Sequence, residues 1–434
     1  PWRYFGRVDV VTRPEVPAKS WRMAPSVLFA VLFGINVLNY TDRYVLPAVV
    51  SQIKADLVLS DTQIGLLGTA FLLVYAVAAI PAGIIADRFR RTTLISAGVV
   101  VWSFATLLTG LTHSFGQLFG VRACLGIGEA TYFPPSTTLL ADAFPVARRA
   151  RLMAWWGLAA PVGVFLGYAA GGLVGQHFGW RAAFYLTAVP GVILALLAGR
   201  LLEPRRGASE SLGDFIAERF TETVRRLVAT RSLLLSILSQ SLAFFVLGGV
   251  SFWVPYYLNQ HFGLAVGTSG LLAGALFVVG GGIGTLSGGH LADVLLARGI
   301  PSARLLVPGL GFLASAPVIL AALLTSSVPT FLALFLVAGG LLQMYSGPMT
   351  ALSQDVVAPA RRARAVAMSN LIAHLLGDAF APALLGALSD TLGGLQPALM
   401  ITPLVIVAAA SVAFVGCRWV GVDRKAVLTE ASLP

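Results

Sequence analysis

About twelve runs of roughly twenty mostly apolar residues follow one another along the chain, each long enough to cross the hydrocarbon core of a bilayer as a helix. That repetition leaves few folds open. Inside lipid every backbone polar group needs a partner within the protein, and a helix supplies one to each of its own residues. With 57% hydrophobic and 11% charged residues among 434, there is too little charge to coat a soluble globule of this size. The chain reads as an all-α integral membrane protein of about twelve transmembrane helices.

The net charge of +11 does not point to nucleic acid, because the basic residues form short clusters between apolar runs rather than one stripe or tail. The clusters alternate in side. Arg88, Arg90 and Arg91, then Arg148, Arg149 and Arg151, and later Arg361, Arg362 and Arg364 fall on one face of the membrane, while Lys54 and Arg181 fall on the other. The excess of arginine marks the cytoplasmic face and puts both termini there. The expected layout is a cytoplasmic tail over 1–23, six spans over 24–202, a cytoplasmic linker over 203–231, six spans over 232–419 and a tail over 420–434. Within the linker, Leu212, Phe215, Ile216 and Phe220 recur at helical spacing opposite Glu218, Arg219 and Arg225, as in an amphipathic helix lying on the membrane. The first 22 residues lack an apolar core, so they are not expected to act as a secretory signal. Cys124 and Cys417 both lie in apolar segments, so neither a disulfide framework nor a thiolate metal site is expected.

The halves repeat. Ala141–Ala154 (ADAFPVARRARLMA) and Ser353–Ala367 (SQDVVAPARRARAVA) share an acid, a proline and an identical Arg-Arg-Ala-Arg, each leading into a new span. Gly83–Arg91 (GIIADRFRR) is echoed by Gly288–Arg298 (GGHLADVLLAR). Two pseudo-symmetric six-helix bundles follow, with a site expected near the midplane between them. Glycines at 163, 167 and 171, and again at 280, 284 and 288, line one face of a helix and admit a close neighbour; such smooth faces would also suit rocking between bundles.

Setting loop charges aside leaves Asp42 and Arg43 in the first span, Arg122 and Glu129 in the fourth, and His374 with Asp378 in the eleventh. Each is a functional candidate, because hydrocarbon penalises a charge by at least about 2.5 kcal/mol. The spans run antiparallel, so Asp42–Arg122 and Arg43–Glu129 contacts are both reasonable. Glu129 is the best proton carrier, with Gly126 and Gly128 expected to leave room around it; a carboxylate that gains and loses a cationic partner changes its proton affinity. Asn370, His374 and Asp378 are four apart and stack on one helix face, with Asp378 orienting the imidazole. Arg43 and Arg122 suit an anionic head group, with Glu129, Tyr40, Asn370, His374 and Asp378 completing the site. Phe244, Phe245, Trp253, Tyr256 and Tyr257 offer an apolar lining.

Several of these stretches resemble the major facilitator superfamily: GIIADRFRR its loop after the second helix, RACLGIGEA its fourth-helix arginine stretch, and GLAAPVGVFLGYAAGGL its glycine-rich fifth helix. Within it, NYTDR (39–43), GIGEATY (126–132) and above all AHLLGDAFAPALLGALSD (373–390) resemble the Spinster family of lipid transporters. The resemblance implies the major facilitator fold and proton-coupled alternating-access transport of an amphiphilic anion, a lysophospholipid or sphingoid-phosphate-like lipid. It also implies a conformational latch at Gly83, Asp87, Arg88 and Arg91, with Asp293 as the second-half counterpart.

A carrier of small organic anions such as sugar acids, or a drug exporter, is the alternative within the superfamily. A passive scramblase or channel is the alternative outside it, although no rings of one charge are present. No P-loop, catalytic triad or metal-ligand cluster is found, so the chain is expected to be neither an enzyme nor an ATP-driven pump. The expected partners are the substrate, protons and the bilayer, with no cofactor, metal or nucleic acid. The chain is expected to act as a monomer in the cell's inner membrane.

Overall fold

The computed structural model describes residues 25–204, 225, 229–358 and 361–431, and among them every regular element is helical. The first half comprises α1 (Pro25–Ala48), α2 (Val50–Leu57), α3 (Asp61–Arg88), α4 (Arg91–Thr109), α5 (Phe115–Ala130), α6 (Phe133–Ala143), α7 (Val146–Gly157), α8 (Ala159–Phe178) and α9 (Trp180–Gly199). The second comprises α10 (Arg231–Phe262), α11 (Val266–Ala297), α12 (Ala303–Leu324), α13 (Val328–Gln343), α14 (Ser346–Asp355), α15 (Arg362–Leu376), α16 (Ala381–Leu392), α17 (Leu395–Leu399) and α18 (Thr402–Ala431). The expected tail over 1–23 and most of the linker over 203–231 lie outside the described residues.

Ten helices among the described residues are long and apolar enough to cross a membrane. The two other expected spans are α1, which carries Asp42 and Arg43, and the α5–α6 run, broken at Thr131–Tyr132 into pieces of 16 and 11 residues. Helix α18 continues to Ala431, past the expected end of the last span at 419; its Asp423 accepts the Ser232 backbone N–H at 2.7 Å and ties this extension to the start of α10. Local chemistry sets other boundaries. Ser60 and Gln63 form a reciprocal capping box at the start of α3, and Gly179, Gly263 and Gly393 end helices with φ of +83°, +65° and +80°.

The internal repeat is visible in the bonds. Arg149 donates to the carbonyl of Ala141 at 3.0 Å, and its counterpart Arg362 donates to that of Gln354 at 3.0 Å, each reaching back eight residues to the last turn of the preceding helix. Arg91 pairs with Asp142 at 2.6 Å, and Arg304 pairs with Asp355 at the matching place in the second half. The breaks match too: α5/α6 corresponds to α13/α14, and α7/α8 to α15/α16.

The core is asymmetric along the membrane normal. At the end carrying α2, one continuous apolar cluster joins Val45, Leu46 and Trp180 of the first bundle to Trp253, Phe312 and Leu385 of the second. At the end carrying the arginine-rich connections, the first bundle keeps a separate core around Leu32, Trp102 and Leu139. The bundles therefore meet at the α2 end and part towards the basic end, where a side chain added at Gly83 or Gly289 would enter open space.

The glycine stripes serve the bundles internally. Gly163, Gly167 and Gly171 of α8 pack on the α1 backbone at Val37, Thr41 and Val45, and Gly280, Gly284 and Gly288 of α11 pack on α13 and the Met344 turn after it. Neither stripe forms the sliding face between bundles, because each is filled by a helix of its own half.

Candidate functional site

Successive residues of a helix point about 100° apart, and this separates Asp42 from Arg43. Arg43 turns towards α3 and α5. Its Nε donates to Glu129 Oε2 at 2.7 Å, the expected pairing. Its guanidinium stands 4.8 Å from the ring centre of Tyr75, 5.1 Å from Phe71 and 5.4 Å from Tyr40, an aromatic collar that favours a cation. Asp42 turns into its own bundle, where Thr106 of α4 approaches one carboxylate oxygen at 3.4 Å and the other oxygen has no hydrogen-bond partner. The expected Asp42–Arg122 ion pair is therefore not formed.

Glu129 occupies the last turn of α5, just before the break at Thr131–Tyr132. Gly126 and Gly128 put it there by letting α5 press on the backbones of α3 and α4, rather than by leaving room around it. Glu129 Oε1 lacks a partner, as do Nε and Nη1 of Arg122, whose guanidinium lies 5.3 Å from the Phe71 ring centre. Arg122 is buried, while the Arg43 side chain is 21% exposed, so Arg43 is the arginine that meets the space between the bundles.

Across that space, α15 stops at Leu376 and the chain makes an irregular turn before α16 begins at Ala381. Asp378 thus lies beyond the helix on which it was expected to stack. The pairing survives the break: His374 Nδ1 and Asp378 Oδ2 are 2.8 Å apart, with the imidazole 4.4 Å from the Phe244 ring centre. Asn370 accepts a hydrogen bond from Gln240 at 3.1 Å. Tyr44 lies in the neighbourhood of both Arg43 and Asp378 and packs edge-on against Tyr168, with ring centres 4.9 Å apart. The second Asp378 oxygen is buried without a partner.

The aromatic lining differs from expectation. Trp253 donates to the Pro382 carbonyl, Tyr257 to that of Leu323, and Tyr256 accepts from Lys54; all three are buried where the bundles or helices close, and Phe245 packs beside them on the same core. Phe71 and Tyr75, four apart on α3, and Tyr44 take the places beside the charges. Their i, i+4 spacing was visible in the sequence, but nothing there assigned that face to Arg43. A small, predominantly apolar recess lies in the second bundle among Leu247, Phe277, Phe335 and Gln343.

At the basic end Asp87 and Arg88 are exposed at the close of α3, and Asp293 is exposed near the close of α11. Arg91 is buried in its own bundle, where it bonds Asp142, Glu203 at 2.8 Å and the Pro204 carbonyl. It pins α4 to α6 and to the start of the inter-bundle connection.

The family model described as Major Facilitator Superfamily matches residues 32–382. The chain is 31% identical over 391 residues to "Protein spinster" of Drosophila melanogaster, matching 87% of this chain and 64% of that protein's length. It is 32% identical over 422 residues to "Sphingosine-1-phosphate transporter SPNS2" of Danio rerio, with 88% of this chain and 82% of that protein covered. Among solved structures, a bacterial homologue of the human lysosomal transporter Spinster, in an inward-facing and unoccupied conformation, superposes with a TM-score of 0.86 at 27% identity, covering 94% of this chain and 99% of that one. With its helices, its broken spans and its charged site accounted for, the chain is a multi-pass membrane transporter, not an enzyme, and belongs to the major facilitator superfamily as a Spinster-type member.

Proposed function

We propose that this transporter moves an amphiphilic anion, a lysophospholipid or sphingoid-phosphate-like lipid, by proton-coupled alternating access. The single observation that carries the reading is the Arg43–Glu129 pair: one arginine, part-exposed between the bundles, held by one oxygen of a buried glutamate whose other oxygen is unpartnered. An incoming phosphate or carboxylate competes with Glu129 for the guanidinium. Once displaced, Glu129 lacks its cation in a dry setting and takes up a proton. Arg122 and Asp42 supply the surrounding charge, and Tyr40, Asn370, His374 and Asp378 contact the head group. The lipid class is supported by the similarity to Spinster proteins, among them the zebrafish protein named as a sphingosine-1-phosphate transporter.

In this reading the arginine-rich end faces the cytoplasm of the inner membrane, both termini lie there, and a single chain is the working unit. Asp87, with Gly83 giving it access and Arg88 beside it, latches the basic end when the bundles close there; Asp293 acts likewise in the second half, and Arg91 holds the loop in place from within.

The test is proton flux into proteoliposomes on addition of a lysophospholipid or, separately, a sugar acid, with Glu129→Gln as control. Flux evoked by the lipid and lost in the variant is expected. A response to the sugar acid alone would overturn the lipid reading, and lipid-driven flux unchanged in Glu129→Gln would remove Glu129 from the coupling.

A further inference from the structure

At the α2 end the first-bundle helix α3 crosses α16 of the second bundle, and the second-bundle helix α11 crosses α8 of the first. In the pseudo-symmetry of the halves these two crossings are the same crossing. Each pairs the second spanning helix of one bundle with the fifth of the other.

Their chemistry also matches. Asp390, in the last turn of α16, accepts the backbone N–H groups of Asp61 at 3.0 Å and Thr62 at 2.8 Å, and the Thr62 hydroxyl at 2.6 Å. It therefore caps the N-terminus of α3 from the opposite bundle. Gln176, near the end of α8, accepts the backbone N–H of Gly267 at 2.9 Å, in the first turn of α11. Both capping residues stand three before a positive-φ glycine that ends the helix, Gly393 after Asp390 and Gly179 after Gln176. Four residues before each capping residue stands another glycine, Gly386 and Gly172. A Cβ at Gly386 would strike the Asp61 carbonyl, and one at Gly172 would come within 2.9 Å of the Val266 carbonyl. The backbones touch, which is what brings a short side chain within reach of a foreign helix terminus.

We propose that Asp390 and Gln176 form a paired latch that holds the α2 end shut. Each capping residue satisfies amides that a helix start leaves open, and each bond spans the bundle interface, so it is made in one conformation and broken in the other. The halves of the latch are unequal. Asp390 brings a negative charge to the positive end of the α3 dipole and three hydrogen bonds, whereas Gln176 brings a neutral oxygen and one. Ser389 and Lys54 reinforce the charged half: Ser389 donates to Asp61 at 2.5 Å, and Lys54 pairs with Asp61 while donating to Tyr256 of the second bundle at 3.1 Å. Burial opposes the Lys54 charge, but its bonds to Asp61 and Tyr256 hold its proton more firmly than usual.

The inference rests on alternating access but not on proton coupling or on the substrate, so its test uses no substrate. Spin labels at Ala55 and Gln260 report the α2 end, and labels at Arg90 and Ala297 the basic end, in nanodiscs with Cys124 and Cys417 replaced by alanine. Asp390→Ala is expected to raise the ratio of long to short distances at the α2 end by about three- to tenfold, with Asp390→Asn intermediate. Gln176→Glu, which gives the neutral half a charge, is expected to lower that ratio. Thr62→Ala, which leaves the α3 backbone intact, is expected to act as a weaker Asp390→Ala. Wild-type distances in Asp390→Ala, or opening of the α2 end by Gln176→Glu, would overturn the latch. Loss of proton flux with the distance shifts intact would instead strike the coupling reading and leave the latch standing.

Discussion

The two halves share a scaffold and differ in what they hold at its centre. Arg91–Asp142 and Arg304–Asp355 occupy matching places, and Arg149 and Arg362 reach back to matching carbonyls. Yet the first half buries Asp42, Arg122 and Glu129 beside a part-exposed Arg43, while the second presents Gln240, Asn370 and a His374–Asp378 pair. The shared features all lie at helix ends, where geometry is set by the fold. The differing ones lie at mid-helix and at the helix breaks, where a substitution leaves the fold intact. Duplication has kept the frame and let the interiors diverge, with charge on one side and neutral hydrogen bonding largely on the other.

That contrast can be broken most directly at the centre. Glu129→Gln is expected to lower gradient-driven uptake by about ten- to hundredfold, the value of a charged hydrogen bond, while Asn370→Ala lowers it by about two- to tenfold. Equal losses in a proteoliposome assay would deny the division between halves.

The scaffold sharpens it next. Arg91→Ala strips a cation from two part-buried acids and should cost about 3–5 kcal/mol, whereas Arg304→Ala, at a more exposed pair, should cost about 1 kcal/mol or less. Thermal and denaturant unfolding in detergent would show whether the two arginines rank this way round. A smaller difference is expected between the glycine stripes. Gly163→Ala drives a methyl into the Val37 carbonyl and should cost about 1–3 kcal/mol, while the nearest atom to a methyl at Gly280 is the Leu336 carbonyl at 3.1 Å, so that change should cost less than about 1 kcal/mol. The same unfolding experiment applies, and a greater loss at Gly280 would contradict the packing described.

The smallest effect lies outside the membrane. Hydrogen bonds from Arg181 and Trp180 hold the Asp56 carboxyl below its usual value. A lowered folded-state value means the unfolded chain binds the proton first, so the stabilisation is complete above about pH 3.9 and fades as the pH falls below it. The Asp56 and Arg181 side chains are both part-exposed, so Asp56→Asn should lower stability only slightly at neutral pH, leave it unchanged in acid and thereby flatten the acid limb of the profile. A loss that appears at pH 7 and vanishes in acid would fit the sign; the reverse would not.

Much of this was legible in the sequence because hydropathy, basic clusters and the repeated Arg-Arg-Ala-Arg report on span length and order, which lipid enforces strictly. The Arg43–Glu129 and His374–Asp378 pairs were legible because depth and four-residue spacing bring them together. What failed depended on helix rotation. The depth argument pairs Asp42 with Arg122, and the aromatic pattern offers Trp253 and Tyr257 as an apolar lining, whereas the close packing read from the α8 glycines is what the structure shows. In the first two cases the apolar surroundings look alike from every side of the helix, so periodicity carries little information about facing. The cross-bundle caps of Asp390 and Gln176 were invisible for a different reason, since a cap borrowed from another helix leaves no local signature.

The turn between α15 and α16 divides one span into two pieces. Below it, α15 packs chiefly with α10 and α14 of its own bundle; above it, α16 keeps contact with α10 through the Trp253–Pro382 bond but lies mainly against α3 of the other bundle. The joint is Gly377–Phe380, where Asp378 waits beside His374. The head-group contact proposed for Asp378 therefore lies on the same short stretch of chain that carries Asp390, the cap at the far closure.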